Sequence, residues 1–155
     1  MTPWQTGGIA FGMLAYAVAW TWGGRTERLG AVVLLLFCMI STITFRWETG
    51  GIYLTAIVED CLRLLIFGWL SFRVDRWWPL VITAALTLMV LLYAAQLLDP
   101  AVTQLAVASA NIGLGFIIDL TLLLSVWERW LAGEPAAGPA AWAKAVRRAT
   151  HGAAV

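Results

Sequence analysis

Residues 52–72 read IYLTAIVEDCLRLLIFGWLSF and set Glu59, Asp60 and Arg63 close together in an otherwise apolar run. Whether this stretch crosses a bilayer decides the fold, because it sets whether the chain crosses an odd or an even number of times. Its surroundings are apolar as well. The 155-residue chain is 61% hydrophobic and 12% charged, with a mean hydropathy of +0.82. Soluble domains carry about 25% charged residues, so half of the usual solvating surface is missing. The length suits one compact unit. No stretch reads as a cleaved signal peptide, because the first basic residue is Arg25 and a positive n-region is lacking.

Outward from that stretch, apolar runs and short charged connectors give five spans, at about 5–23, 29–45, 52–72, 78–98 and 104–127, each within the roughly 17–25 residues that a transmembrane helix needs. Helices satisfy their own backbone groups in lipid, and open strands do not. The expected fold is therefore all-α: a polytopic five-helix transmembrane bundle over residues 1–130 with short loops, followed by a Gly/Pro linker and basic tail over 131–155. The basic residues test the parity. With five spans, Arg25, Arg28, Arg73, Arg76, Arg129, Lys144, Arg147 and Arg148 share one side, and Arg46 alone faces the other. With four, the tail would join Arg46, Arg63, Arg73 and Arg76 on the side that should be poor in bases. Span three is therefore expected to cross, with the N-terminus outside and the C-terminus inside, as in a bacterial inner membrane. Interfacial belts are expected from Trp20, Trp22, Trp77, Trp78, Trp127 and Trp130 at the inner face, and from Trp4, Trp47 and Tyr53 at the outer.

The charges then need an explanation. Each costs roughly 2.5–3.5 kcal/mol at mid-bilayer, and each flanking apolar side chain returns only about 0.3–0.6 kcal/mol. Span three must turn them towards protein or water. Glu59 and Arg63 are four apart and Asp60 and Arg63 three apart, the spacings of neighbours on a helix face. Span five carries a stripe of its own, Gln104, Ala108, Asn111, Gly115 and Asp119, whose small residues, Gly115 among them, are expected to let a neighbouring backbone or a long side chain come close. At about 1.5 Å per residue, the polar groups of both spans share one slab of the bilayer. The economical arrangement packs the stripes together, with Arg63 reaching Asp119 and Glu59 near Asn111. Three acids then meet one base, so at least one carboxyl is expected to take up a proton or a cation.

Other signals are weaker. Gly8 and Gly12 have GxxxG spacing, which suits close helix association. In the tail, Trp142 with Ala145, Val146 and Ala149 falls on one helical face, and Lys144, Arg147 and Arg148 towards another. This is a short basic amphipathic helix suited to anionic lipid. Thr83 and Thr87 on span four, and Ser41, Thr42 and Thr44 on span two, are expected to bond back to their own helices. Tyr93 and Gln96 are expected to rim the outer interface. Cys38 and Cys61 read as buried hydrophobes, and His151 is the single histidine, so no metal site or cofactor is expected. A net charge of +1 makes no case for nucleic acid, and no catalytic motif is present, so an enzyme is not expected. The expected role is a small accessory or assembly component of a membrane complex, self-associating or docked to a larger assembly. The alternative is a minimal oligomeric proton- or cation-coupled transporter or channel that uses the same cluster.

Overall fold

The computed structural model describes residues 3–44, 54–99 and 102–134, with side chains over 6–43, 55–99 and 102–134. The tail expected to contact lipid, with Trp142, Lys144, Arg147 and Arg148, lies outside the described residues, as do Trp47, Tyr53 and the side chain of Trp4. The helices are α1 (Pro3–Trp22), α2 (Arg25–Thr44), α3 (Leu54–Arg73), α4 (Trp78–Leu98) and α5 (Gln104–Leu131). Three are long and apolar enough to cross a membrane: Arg25–Ile43, Trp78–Leu98 and Gln104–Leu131. The other two, each of 20 residues, fall short of that measure. Three charges interrupt α3, while glycines and tryptophans dilute α1. Helix α2 begins four residues earlier than the sequence suggests and takes in Arg25, Thr26, Glu27 and Arg28; α5 runs four further, to Leu131.

Each helix packs on its neighbours in the chain, and α5 returns to pack on α1, so the five close into a ring. Helix α2 also reaches across this ring to α5. The α1–α2 and α3–α4 turns and the C-terminus of α5 lie together at one end. That end carries Arg25, Arg28, Arg73, Arg76 and Arg129 and is here termed the basic end. The half of the ring beside it is solid, with Ala19, Phe67, Trp78, Ile82, Leu86 and Leu122 all fully buried. Phe67 meets Trp78 edge-on, with ring centroids 6.2 Å apart. Trp78 therefore leaves the interfacial belt to which its sequence position assigns it. Pro79 at the first turn of α4, a position that needs no N–H partner, starts the helix where the indole turns inwards. Trp20, Trp22, Trp127 and Trp130 are exposed.

The outside of the ring is apolar. Leu65 is 69% exposed, Leu105 77% and Phe72 93%. An apolar surface this extensive is rare on a water-soluble monomer.

Side-chain ion pairs fasten the basic end. Arg129 Nη1 lies 2.9 Å from Glu27 Oε2, joining α5 to the first turn of α2, and Glu27 is only 1% exposed. Thr26 donates to the same carboxylate. Beyond α5, Gly133 adopts φ +67°, and the Glu134 N–H bonds back to the Arg129 carbonyl at 3.1 Å. This left-handed ending, natural to glycine, turns Glu134 onto Arg76 and Arg129 together. Trp77 donates to Glu128 nearby. Gly24 leaves room for the guanidinium, since a Cβ there would stand 1.6 Å from Arg129 Nη1.

Deeper in the ring, a Cβ at Gly30 would lie 2.8 Å from the buried Trp78 ring. Gly30→Ala is expected to cost about 1–3 kcal/mol by overpacking. A fall in Tm of several degrees, followed by circular dichroism in detergent, is the expected result. Gly113→Ala, at a position open to space, should leave Tm unchanged or raised.

Candidate functional site, a blind chamber inside the ring

Away from the basic end the ring is hollow. A chamber of about 370 Å³ opens there, and every helix contributes to its wall: Tyr16 from α1, Cys38 from α2, Arg63 from α3, Met89 from α4, and Gly115 and Phe116 from α5. Gly115 has nothing within 4 Å of where its Cβ would be. The small-residue stripe of α5 thus borders empty space at this level and does not admit a neighbouring backbone.

Arg63 is neutralised within its own helix. Its Nη1 lies 3.0 Å from Asp60 Oδ1 and its Nη2 3.4 Å from Glu59 Oε2, at i,i+3 and i,i+4. The guanidinium also sits 5.2 Å from the Phe37 ring centroid on α2. Glu59 and Asp60 are both buried, at 6% and 5% exposure. From Asp60 a hydrogen-bonded chain crosses two helices. The Tyr93 hydroxyl on α4 donates to Asp60 Oδ2 at 3.2 Å, and Asn111 Nδ2 on α5 donates to the Tyr93 oxygen at 2.8 Å.

Asp119 stands apart from this chain. Its carboxylate accepts a hydrogen bond from the Tyr16 hydroxyl of α1, and among the described residues no base lies within ion-pair distance of it. Gly12 makes the close approach feasible, since a Cβ there would be 3.0 Å from Asp119 Oδ2 and 3.4 Å from Tyr16 Oη. One helix turn higher, Gly8 faces Phe116, and Phe116 packs on Phe11 with centroids 5.6 Å apart. The GxxxG pair is therefore spent on α1–α5 packing inside the chain.

The expected meeting of the α3 and α5 stripes does not occur. These two helices do not pack on each other; α4 lies against both. Arg63 does not reach Asp119, because two acids on its own helix hold its terminal nitrogens. Asn111 joins the network at Asp60 through Tyr93, and not at Glu59. Gln104 and Ala108, at the start of the α5 stripe, are exposed. Sequence reasoning missed the two tyrosines that bridge the helices. Tyr93 could have been found, because Trp78, Ile82, Ala85, Leu86, Met89 and Tyr93 share the inward face of α4 at spacings of three and four. Tyr16 follows Gly12 by four and so lies on its face. Thr42, Thr83 and Thr87 bond back to Cys38, Pro79 and Thr83 carbonyls in their own helices, and Ser71 on α3 also meets the Thr83 hydroxyl at 3.0 Å.

No protein-family model matches the chain, and no match was found among characterised proteins or solved structures.

Removing Arg63 leaves two buried carboxylates without their base, so Arg63→Ala is expected to destabilise by about 3–5 kcal/mol. Tyr93→Phe removes both a donor and an acceptor from the bridge and should cost about 1–3 kcal/mol. Denaturation in mixed micelles checks both. An Arg63→Ala protein that inserts, purifies and unfolds like the parent would overturn this assignment.

Proposed function

We propose that the chain is a five-span integral membrane protein that acts as an accessory component of a larger membrane complex, with its basic end on the cytoplasmic face of a bacterial inner membrane. The placement of α1 and α3 is supported by the ring. Helix α3 lies between α2 and α4, and α1 between α2 and α5; a helix wedged beside two apolar spans shares their depth. The acids of α3 point inwards, while Val58, Leu62, Leu65 and Trp69 point out, as a charged span facing protein would require. Bases gathered at one end support the orientation.

One observation favours an accessory role over a carrier. The chamber ends blind against fully buried Phe67, Trp78, Ile82, Leu86 and Leu122, with the Glu27–Arg129 pair beyond them. Thr121 and Ser125, buried polar residues within this plug, bond to carbonyls of their own helix and offer no relay. A second reading, a minimal oligomeric proton- or cation-coupled transporter, is favoured by the acids and the base that α3 and α5 bring near the chamber, and by a closure made partly of side-chain ion pairs.

Mild-detergent purification from the native host separates the two. The accessory reading expects a partner to co-purify in fixed ratio, and expects reconstituted protein to leave proton and cation gradients intact. Dissipation of those gradients, abolished by Glu59→Gln or Asp119→Asn, would replace it with the transport reading.

A further inference from the structure

One charged side chain stands in the chamber wall, the guanidinium of Arg63; Glu59, Asp60 and Asp119 do not line the space. Around it the wall is mainly apolar, with Leu34, Met89, Ile112 and Phe116. The volume of about 370 Å³ is at the lower end of the range for small-molecule pockets, roughly 300–1,000 Å³. The polar groups of this wall are mostly spent. The Tyr16 hydroxyl donates to Asp119, the Thr42 hydroxyl donates to the Cys38 carbonyl at 2.8 Å, and Ser41 has a partner of its own. The Cys38 thiol is only a weak donor. A guanidinium carries five N–H groups, and Arg63 turns Nη1 to Asp60 and Nη2 to Glu59. Its Nε has no hydrogen-bond partner among the described residues and is sealed off from the chamber. A second N–H on each terminal nitrogen is left over, which makes Arg63 the strong donor of this wall.

We propose that the chamber binds a small neutral carbonyl compound, an apolar body on the order of ten non-hydrogen atoms whose oxygen accepts from the Arg63 guanidinium. Two carboxylates already answer the charge of Arg63, so what it has left to offer is a hydrogen bond. An anionic guest would bring a third negative charge to that guanidinium. A cationic guest would meet like charge across a wall that holds no acid. A hydrocarbon would fill the space and leave the N–H groups without an acceptor, which is costly in a low-dielectric interior. A carbonyl supplies the acceptor and carries no charge into lipid, where ions enter at great cost. The inference rests on the proposed membrane placement, because a low-dielectric surround is what makes an unmet donor costly.

Four benzene derivatives test it: acetophenone, ethylbenzene, benzoate and benzylammonium, each dialysed to equilibrium against the full-length protein in phosphatidylcholine nanodiscs, with empty discs subtracted. Acetophenone is expected to bind saturably and one to one, about tenfold or more tighter than ethylbenzene or either ion, the margin of a hydrogen bond to a charged donor. Its carbonyl stretch, read by infrared difference spectra, is expected at lower frequency when bound than in empty discs. Gly115→Leu places a side chain in open space on the chamber wall, so it should abolish binding of acetophenone and ethylbenzene alike while leaving Tm intact. Glu59→Gln, Asp60→Asn and Arg63→Met made together remove the donor without leaving a buried charge unanswered. They should bring acetophenone down to the affinity of ethylbenzene and return its carbonyl stretch to the value in lipid. Equal or tighter binding of the hydrocarbon or of either ion, the absence of saturable binding, an unshifted carbonyl stretch, or binding that survives Gly115→Leu would overturn the proposal. If the triple variant does not fold, the carbonyl stretch in the parent protein decides alone. A protein that fails to enter the discs, seen by gel filtration before any probe is added, removes the membrane placement as well; incorporated protein without preference for the carbonyl removes this inference alone.

Discussion

A charge that cannot reach water must be answered by groups inside the protein, and α3 answers its own. Glu59, Asp60 and Arg63 sit at the two spacings that let one guanidinium meet two carboxylates from a single helix. The local cluster thus sets two acids against one base, and its remaining hydrogen-bonding capacity turns to the helix alongside, where Tyr93 is found. The rest of the arrangement follows from this choice. Because Arg63 is occupied, α3 has no electrostatic reason to lie against α5, and α4 takes the place between them. Asp119 is left to α1, where a hydroxyl and a glycine accommodate it.

The ring divides into two halves of different character. Beside the basic end, large rings and small residues interlock, with Gly30 giving Trp78 its place and Gly24 admitting the Arg129 guanidinium. Cores packed to crystal-like density resist displacement, so this half behaves as a rigid plug. In the other half the same residue type serves the opposite purpose, since Gly115 leaves its space open. What separates plug from chamber is what stands across from each glycine: a buried indole in one case, nothing within 4 Å in the other.

Much of this was legible in the sequence, and the reasons are specific. Helix number and approximate limits followed from apolar runs broken by short charged connectors. The Arg63 pairings are set within one turn, so spacing alone placed those groups on one face. Ring order was not legible, because spacing says which face of a helix is polar and nothing about which neighbour that face meets. The stripe on α5 therefore suggested α3, although its Asn111 meets α4 and its Asp119 meets α1. Tryptophan at a helix end reads as an interfacial anchor whether it points out, like Trp22, or in, like Trp78. Glu27 was overlooked since a lone acid between two bases, Arg25 and Arg28, looks solvated; its partner is 102 residues away.

That separation has a consequence for how the molecule is made. Glu27 emerges from the ribosome long before Arg129, and at about 5–20 residues per second the interval is on the order of 5–20 s. Throughout it, α2 has no counter-ion from α5 and no Glu134 to complete the fastening. Burial of that carboxylate is thus among the last events of biogenesis, and an intermediate lacking the fifth helix exposes an unmatched acid at its cytoplasmic rim if the chain is oriented as proposed. Quality-control proteases that recognise half-built membrane proteins would find in that rim a mark which the finished ring no longer displays.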